Sequence, residues 1–173
     1  MALIKARSRG INLADNFAFS GTVSGAGGGK VLQVKRSFLS SNFSQTGVSS
    51  VADAYTDTIT LSSTSNYILA EAQINYQLFG ANSSSTPDFL IYITDGSNNI
   101  KAKQQMLDYL KNDSSYHQGG ACLFALWTPN STSEQTVKVR LEHASNGRGL
   151  LFGDSAGATT GRACTMKLME ISA

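Results

Sequence analysis

The chain has 173 residues, 41% of them apolar and 15% charged, with a formal net charge of +2. That is enough material for one domain with its own core plus a tail, and too little charge to imply nucleic acid as a partner of the whole chain. No apolar run approaches the roughly 20 residues of a membrane span, and no apolar stretch follows the basic start, so neither membrane insertion nor a signal peptide is expected.

Residues 1–29 form the first unit. Leu3, Ile4, Ile11, Leu13, Phe17 and Phe19 lie beside Lys5, Arg7 and Arg9 with no sustained period of 2 or 3.6. Such a segment is too short to fold alone, so its apolar groups are expected to be buried against another chain or surface. Leu3, Ile4, Lys5, Arg7, Arg9, Ile11, Leu13, Phe17 and Phe19 are therefore the candidate partner-binding residues. Their cations are better suited to acidic groups on a neighbouring subunit than to nucleic acid. The glycines at 25 and 27–29 read as a flexible hinge. A phosphate-binding loop fails here, because Ser24 stands where its first Gly belongs and Val31 where its hydroxyl belongs. A β domain is expected over residues 30–173.

From Lys30 onward, short alternating segments are separated by Ser/Thr/Asn/Gly turns. Lys30–Lys35 alternates as a half-buried strand does, and Tyr55–Leu61 is rich in β-branched residues ahead of a turn cluster at 62–66. Tyr67–Phe79 is the longest alternation, with Ile68, Ala70, Ala72, Ile74, Tyr76 and Leu78 on one face. Phe89–Ile93 runs into the hairpin signal Asp95-Gly96-Ser97. Residues 101–111 contain good helix formers, but in an otherwise β chain the strand or an irregular edge is favoured over a helix. Cys122–Trp127 is nearly continuous and ends at Pro129, which suits a strand covered on both faces. Val137, Val139 and Leu141 alternate with charged residues, Leu150–Phe152 is a short strand, and Cys164–Ile171 is the last. Spacings of roughly 8–12 residues fit an all-β sandwich.

The chemistry-bearing motifs are sparse. Cys122 and Cys164 both sit in strand-like runs and read as buried free thiols, with a single disulfide as the alternative. His117 and His143 are isolated, and nothing has metal-ligand spacing, so neither a metal nor a cofactor is expected. Asp53, Asp57, Asp88, Asp95, Asp108, Asp113 and Asp154 are too dispersed to name a carboxylate pair. Gly153-Asp154-Ser155-Ala156-Gly157 satisfies G-x-S-x-G, but the adjoining Ala158-Thr159-Thr160-Gly161 cannot open a helix, and both histidines precede the serine. A turn is the favoured reading and no catalytic residue is expected. The four N-x-[ST] strings, at Asn42, Asn82, Asn112 and Asn130, read as chance in a chain about one-fifth Ser and Thr.

Arg9-Gly10-Ile11-Asn12-Leu13-Ala14-Asp15-Asn16-Phe17-Ala18-Phe19-Ser20-Gly21-Thr22-Val23, with the glycine run and Lys30-Val31-Leu32-Gln33-Val34, resembles the opening of a family of small bacteriophage virion proteins. These occur in phages of aquatic, including cyanobacterial, hosts, and similar modules end some tail fibres. Thr136–Arg140, Gly153-Asp154-Ser155 and the stretch from Gly161-Arg162 to Leu168–Ile171 agree with that family, while residues 38–135 match it poorly. The resemblance implies a jelly-roll-like domain, homotrimeric assembly and a place in the virion, and it carries over no catalytic or binding residues. The expectation is thus an all-β, jelly-roll-like antiparallel β-sandwich with an extended N-terminal arm. It would serve as a fibre-like head or tail appendage, anchored to other virion proteins by the arm and displaying its β domain to a host-surface glycan or protein. The alternatives are a capsid decoration (cement) protein that stabilises the phage head and, less favoured, a polysaccharide hydrolase.

Overall fold

The computed structural model describes residues 29–46, 50–80, 88–107, 116–143, 147–151, 153 and 163–173. The arm residues Leu3 to Phe19, the hinge glycines at 25, 27 and 28, residues 108–111, Phe152 and Ser155 lie outside them. Ten strands follow in order: β1 (Val31–Phe38), β2 (Phe43–Thr46), β3 (Ser50–Thr60), β4 (Tyr67–Gly80), β5 (Asp88–Asp95), β6 (Ile100–Leu107), β7 (Tyr116–Trp127), β8 (Glu134–His143), β9 (Gly147–Leu151) and β10 (Thr165–Ile171).

The pairings nest. β5 pairs with β6, β4 with β7, β3 with β8 and β1 with β10, all antiparallel. One long hairpin, rolled up, gives two sheets with the orders β1-β10-β4-β7 (sheet A) and β3-β8-β5-β6 (sheet B). This is the jelly-roll arrangement of the antiparallel sandwich. β2 and β9 are an addition to sheet A, β9 pairing with the far half of β4 from Tyr76 to Gly80.

The alternation of β4 sets the core. Ile68, Ala70, Ala72 and Ile74 are fully buried, and they join Met166 and Leu168 of β10 and Ala121, Leu123 and Ala125 of β7 on the inner face of sheet A. Sheet B contributes Phe89, Ile91 and Ile93 from β5 and Val137, Val139 and Leu141 from β8 to the same cluster. Small residues on β4 and β7 leave room for the larger side chains of β5, so one continuous core forms between the sheets.

Polar side chains close the β1–β3 edge. Gln33, Lys35 and Ser37 point from β1 toward β3: Gln33 Nε2 donates to the Thr60 carbonyl at 2.5 Å and Lys35 Nζ to that of Thr58 at 2.9 Å. Lys35 also pairs with Asp57 at 2.5 Å, and the Ser37 hydroxyl donates to the same carboxylate. Burial pushes the Asp57 carboxyl up, but Lys35, Ser37 and the Thr58 N–H outweigh it and hold it below its ordinary value.

At one end of this edge Glu170, only 2% exposed, is the hub of a buried polar knot. Its carboxylate accepts from the Ser62 N–H (2.7 Å), the Ser62 hydroxyl (2.6 Å), Asn66 Nδ2 (2.6 Å) and Gln33 Nε2 (2.7 Å). Burial alone would raise its pKa; the donors reverse this and bring it to about 2. The knot ties β10 to β1 and to the turn between β3 and β4.

Two expectations are corrected. Cys122–Trp127 is not covered on both faces: Ala121, Leu123 and Ala125 are buried, while Cys122, Phe124 and Leu126 are exposed. The strand pairs with β4 along one side, and only its inner face meets sheet B. For the same reason Cys122 is not buried; Cys164 is, its thiol donating to the Asn75 carbonyl at 3.3 Å, and the two cysteines are not joined in a disulfide. β2 had no expected counterpart, because Phe43–Thr46 is too short to show a period. Residues 101–107 form a strand despite their helix formers, since the Asp95 turn sends them back along β5.

Candidate interaction surfaces

The outward faces of the two sheets differ in chemistry. On sheet B, Asp53 of β3 is held by Lys138 (2.9 Å) and Arg140 (2.7 Å) of β8. The Lys138 hydrogen bond, followed by that of Arg140, keeps the Asp53 carboxyl below its ordinary value in spite of burial. Lys138 also donates to Asn98, the Tyr92 hydroxyl donates to Glu142, and Lys103 lies 5.6 Å from the centre of the Tyr92 ring. That face carries charges already matched to one another.

The outer face of sheet A sets apolar side chains beside a charged row. Among the described residues eight large hydrophobic side chains are exposed, and six belong to sheet A: Val31, Leu32, Val34, Tyr67, Phe124 and Leu126. Strand register places them in rows. Leu126 lies beside Leu69, Leu69 beside Met169 and Met169 beside Val34, an unbroken apolar row across β7, β4, β10 and β1. The next row reads Phe124, Glu71, Lys167, Arg36, and the one after it Cys122, Gln73, Thr165, Phe38. Glu71 and Lys167 are paired at 2.5 Å, and the Arg36 guanidinium stands 4.7 Å over the Phe38 ring. Arg36, Glu71, Gln73, Thr165 and Lys167 surround a hollow of about 290 Å³ on this face.

A polar groove of about 310 Å³ opens at one end of the sandwich, between the β5–β6 turn, Lys101, the Trp127–Pro129 exit of β7 and the start of β8 at Glu134–Thr136. Lys101 Nζ lies 5.8 Å from the Trp127 ring centre and 3.1 Å from the Asp95 carboxylate. Asp95 also accepts from the N–H groups of Ser97 and Asn99 and from Asn99 Nδ2. Burial pushes its carboxyl up, but Asn99 and Lys101 outweigh it and hold the pKa below its ordinary value. Glu134 accepts from the Thr58 hydroxyl at 3.1 Å. The groove offers an indole ring, hydroxyls and a carboxylate to a polar ligand.

The chemistry-bearing residues singled out from the sequence are scattered. His117 sits opposite Leu78 in sheet A and His143 opposite Ser50 and Phe89 in sheet B. Asp53, Asp57 and Asp95 are each taken up by a different local network, and among the described residues no three His, Cys, Asp or Glu side chains gather as a metal site. Gly153, the first residue of the serine string, donates its N–H to Asn42 Oδ1 at 2.8 Å and lies so close to Ser41 that a Cβ would come within 2.1 Å of the Ser41 carbonyl. A glycine is needed there for backbone approach rather than for an elbow. Gly153→Ala is therefore expected to destabilise the fold by about 1–3 kcal/mol in urea unfolding. Ser155→Ala should fall within roughly ±0.5 kcal/mol and change no hydrolytic activity.

The pattern of residues 122–127 could not reveal the exposed face, because both of its alternating sets are apolar. A signal did exist for Glu170: it shares the core-facing parity of Met166 and Leu168, an odd place for a carboxylate.

No family model matches the chain, and no curated protein matches it. Among solved structures it is similar to that of infectious bursal disease virus Gx strain, at TM-score 0.39 and 10% identity over 82% of this chain and 36% of that one. It is also similar to the infectious bursal disease virus VP2 subviral particle, at TM-score 0.37 and 8% identity over 80% of this chain and 39% of that one. The chain thus spans less than two-fifths of the length of these proteins.

Proposed function

We propose that the chain is a structural subunit of a bacteriophage particle, a homotrimeric head or tail appendage whose arm anchors it and whose jelly roll is displayed. The observation that carries this reading is the asymmetry of the sandwich: one outward face bears matched charges suited to water, the other an apolar row, exposed at Leu126 and Val34 and half-buried at Leu69 and Met169, suited to being covered. The resemblance of the arm and of the last strands to phage virion proteins agrees with it, as does the anchoring role open to Leu3, Ile4, Lys5, Arg7, Arg9, Ile11, Leu13, Phe17 and Phe19. The Trp127 groove, at an end of the sandwich and away from sheet A's outer face, is the place for host-surface contact. The role is non-catalytic.

Light scattering on the purified chain should return a mass near three chains, and a particle reconstruction should locate the protein at tens of copies. A clean monomer at micromolar concentration sinks the trimer. Hundreds of copies bridging capsid subunits would instead mark a decoration protein, and cleavage of a host glycan that is lost in Ser155→Ala, with folding intact, would mark a hydrolase.

A further inference from the structure

Rotation about an axis parallel to the strands keeps every residue at its own level along the sheet while bringing one half of the outer face of sheet A against the other half of a neighbour. At each level the two halves complement one another. The β7–β4 half offers Leu126 and Leu69 where the β10–β1 half offers Met169 and Val34, and it offers Phe124 and Glu71 where the other offers Lys167 and Arg36. Acid and protruding ring stand on one half and two bases on the other, with a hollow across the line between them. Phe124 is 60% exposed, and the hollow of about 290 Å³ begins at its level, lined by Glu71 and Gln73 of β4 as well as by Lys167, Thr165 and Arg36.

We infer that this face is where copies of the chain meet, the β7–β4 half of each copy packing on the β10–β1 half of the next. Leu126 and Leu69 cover Met169 and Val34, Phe124 enters the neighbour's hollow beside the Arg36 guanidinium, and Glu71 reaches the neighbour's bases. The four strands, about 4.8 Å apart, and four rows (the three above and that of Val31, Ile171 and Tyr67), about 6.8 Å apart, give roughly 500 Å² of face per copy, so two such faces reach the ~1,000 Å² that a specific interface needs. Two copies close the arrangement, each covering the whole face of the other. It deepens the oligomeric reading above and names the surface that reading leaves open.

The test uses the full chain. Phe124→Glu and Leu126→Glu change exposed side chains, so circular dichroism should be unaltered while each variant weakens association at least about 30-fold, the scale of one interface hot spot.

An oligomer whose mass survives both glutamate substitutions overturns the proposal even if it contains three chains. A two-chain oligomer that Phe124→Glu dissociates upholds the face and overturns only the trimer. A monomer in which Phe124→Glu makes Lys5, Arg7 and Arg9 newly cleavable by trypsin puts the chain's own arm on the face and overturns a second copy as its occupant.

Discussion

Replacing Glu170 by alanine is expected to lower the stability of the sandwich by about 3–5 kcal/mol, a large share of the 5–15 kcal/mol typical of a domain. The carboxylate is buried and accepts from Ser62, Asn66 and Gln33; its removal leaves these donors facing a cavity that apolar neighbours cannot satisfy. Chemical denaturation of the wild-type and variant chains measures the loss, and an unchanged midpoint would refute the role given to the knot. Glu170→Gln retains one acceptor oxygen but adds an amide that meets other donors, so its cost should be smaller and still clearly measurable.

The same group sets a pH dependence. Its pKa in the folded chain is about 2 against an ordinary 4.5, so it contributes stability above about pH 4.5 that disappears as pH falls toward 2. Asp53, Asp57 and Asp95 are also held below their ordinary values and lose their stabilisation in the same direction. The difference between wild type and Glu170→Gln isolates the one carboxylate: it should shrink over that window by up to about 3 kcal/mol. A difference constant from pH 6 to pH 2 would show that Glu170 titrates normally.

The second large effect concerns the arm. Deleting residues 1–24 should leave circular dichroism of a β protein intact and abolish joining to the particle. Every described strand and the whole described core lie beyond residue 28, while burying one large apolar side chain is worth about 1.5–3 kcal/mol, so a few docked arm residues suffice to hold a subunit. A pull-down against assembled particles reads the second half of the expectation. Wild-type occupancy by the truncated chain would remove the arm as anchor; a chain that no longer folds would make the arm part of the core, as a strand exchanged between protomers.

The sequence by itself determined the fold class and most of the strands. The period of 2 in Tyr67–Phe79, Val137–Leu141 and Cys164–Ile171 specifies both strand and inward face, because a one-residue slip would expose Ile68, Ile74, Val139 or Leu168. Asp95-Gly96-Ser97 likewise specified its hairpin through local hydrogen bonds. Tertiary structure alone decided how the strands nest, since pairing partners such as β1 and β10 are separated by more than a hundred residues and no local preference encodes them. It also decided which alternate residues of Cys122–Trp127 face outward, because both sets are apolar and only the position of sheet B selects between them. Finally, it turned Glu170 from one acidic residue among twelve into the centre of a buried knot, since the donors that keep its charge come from Gln33, Ser62 and Asn66, more than a hundred residues away in the chain.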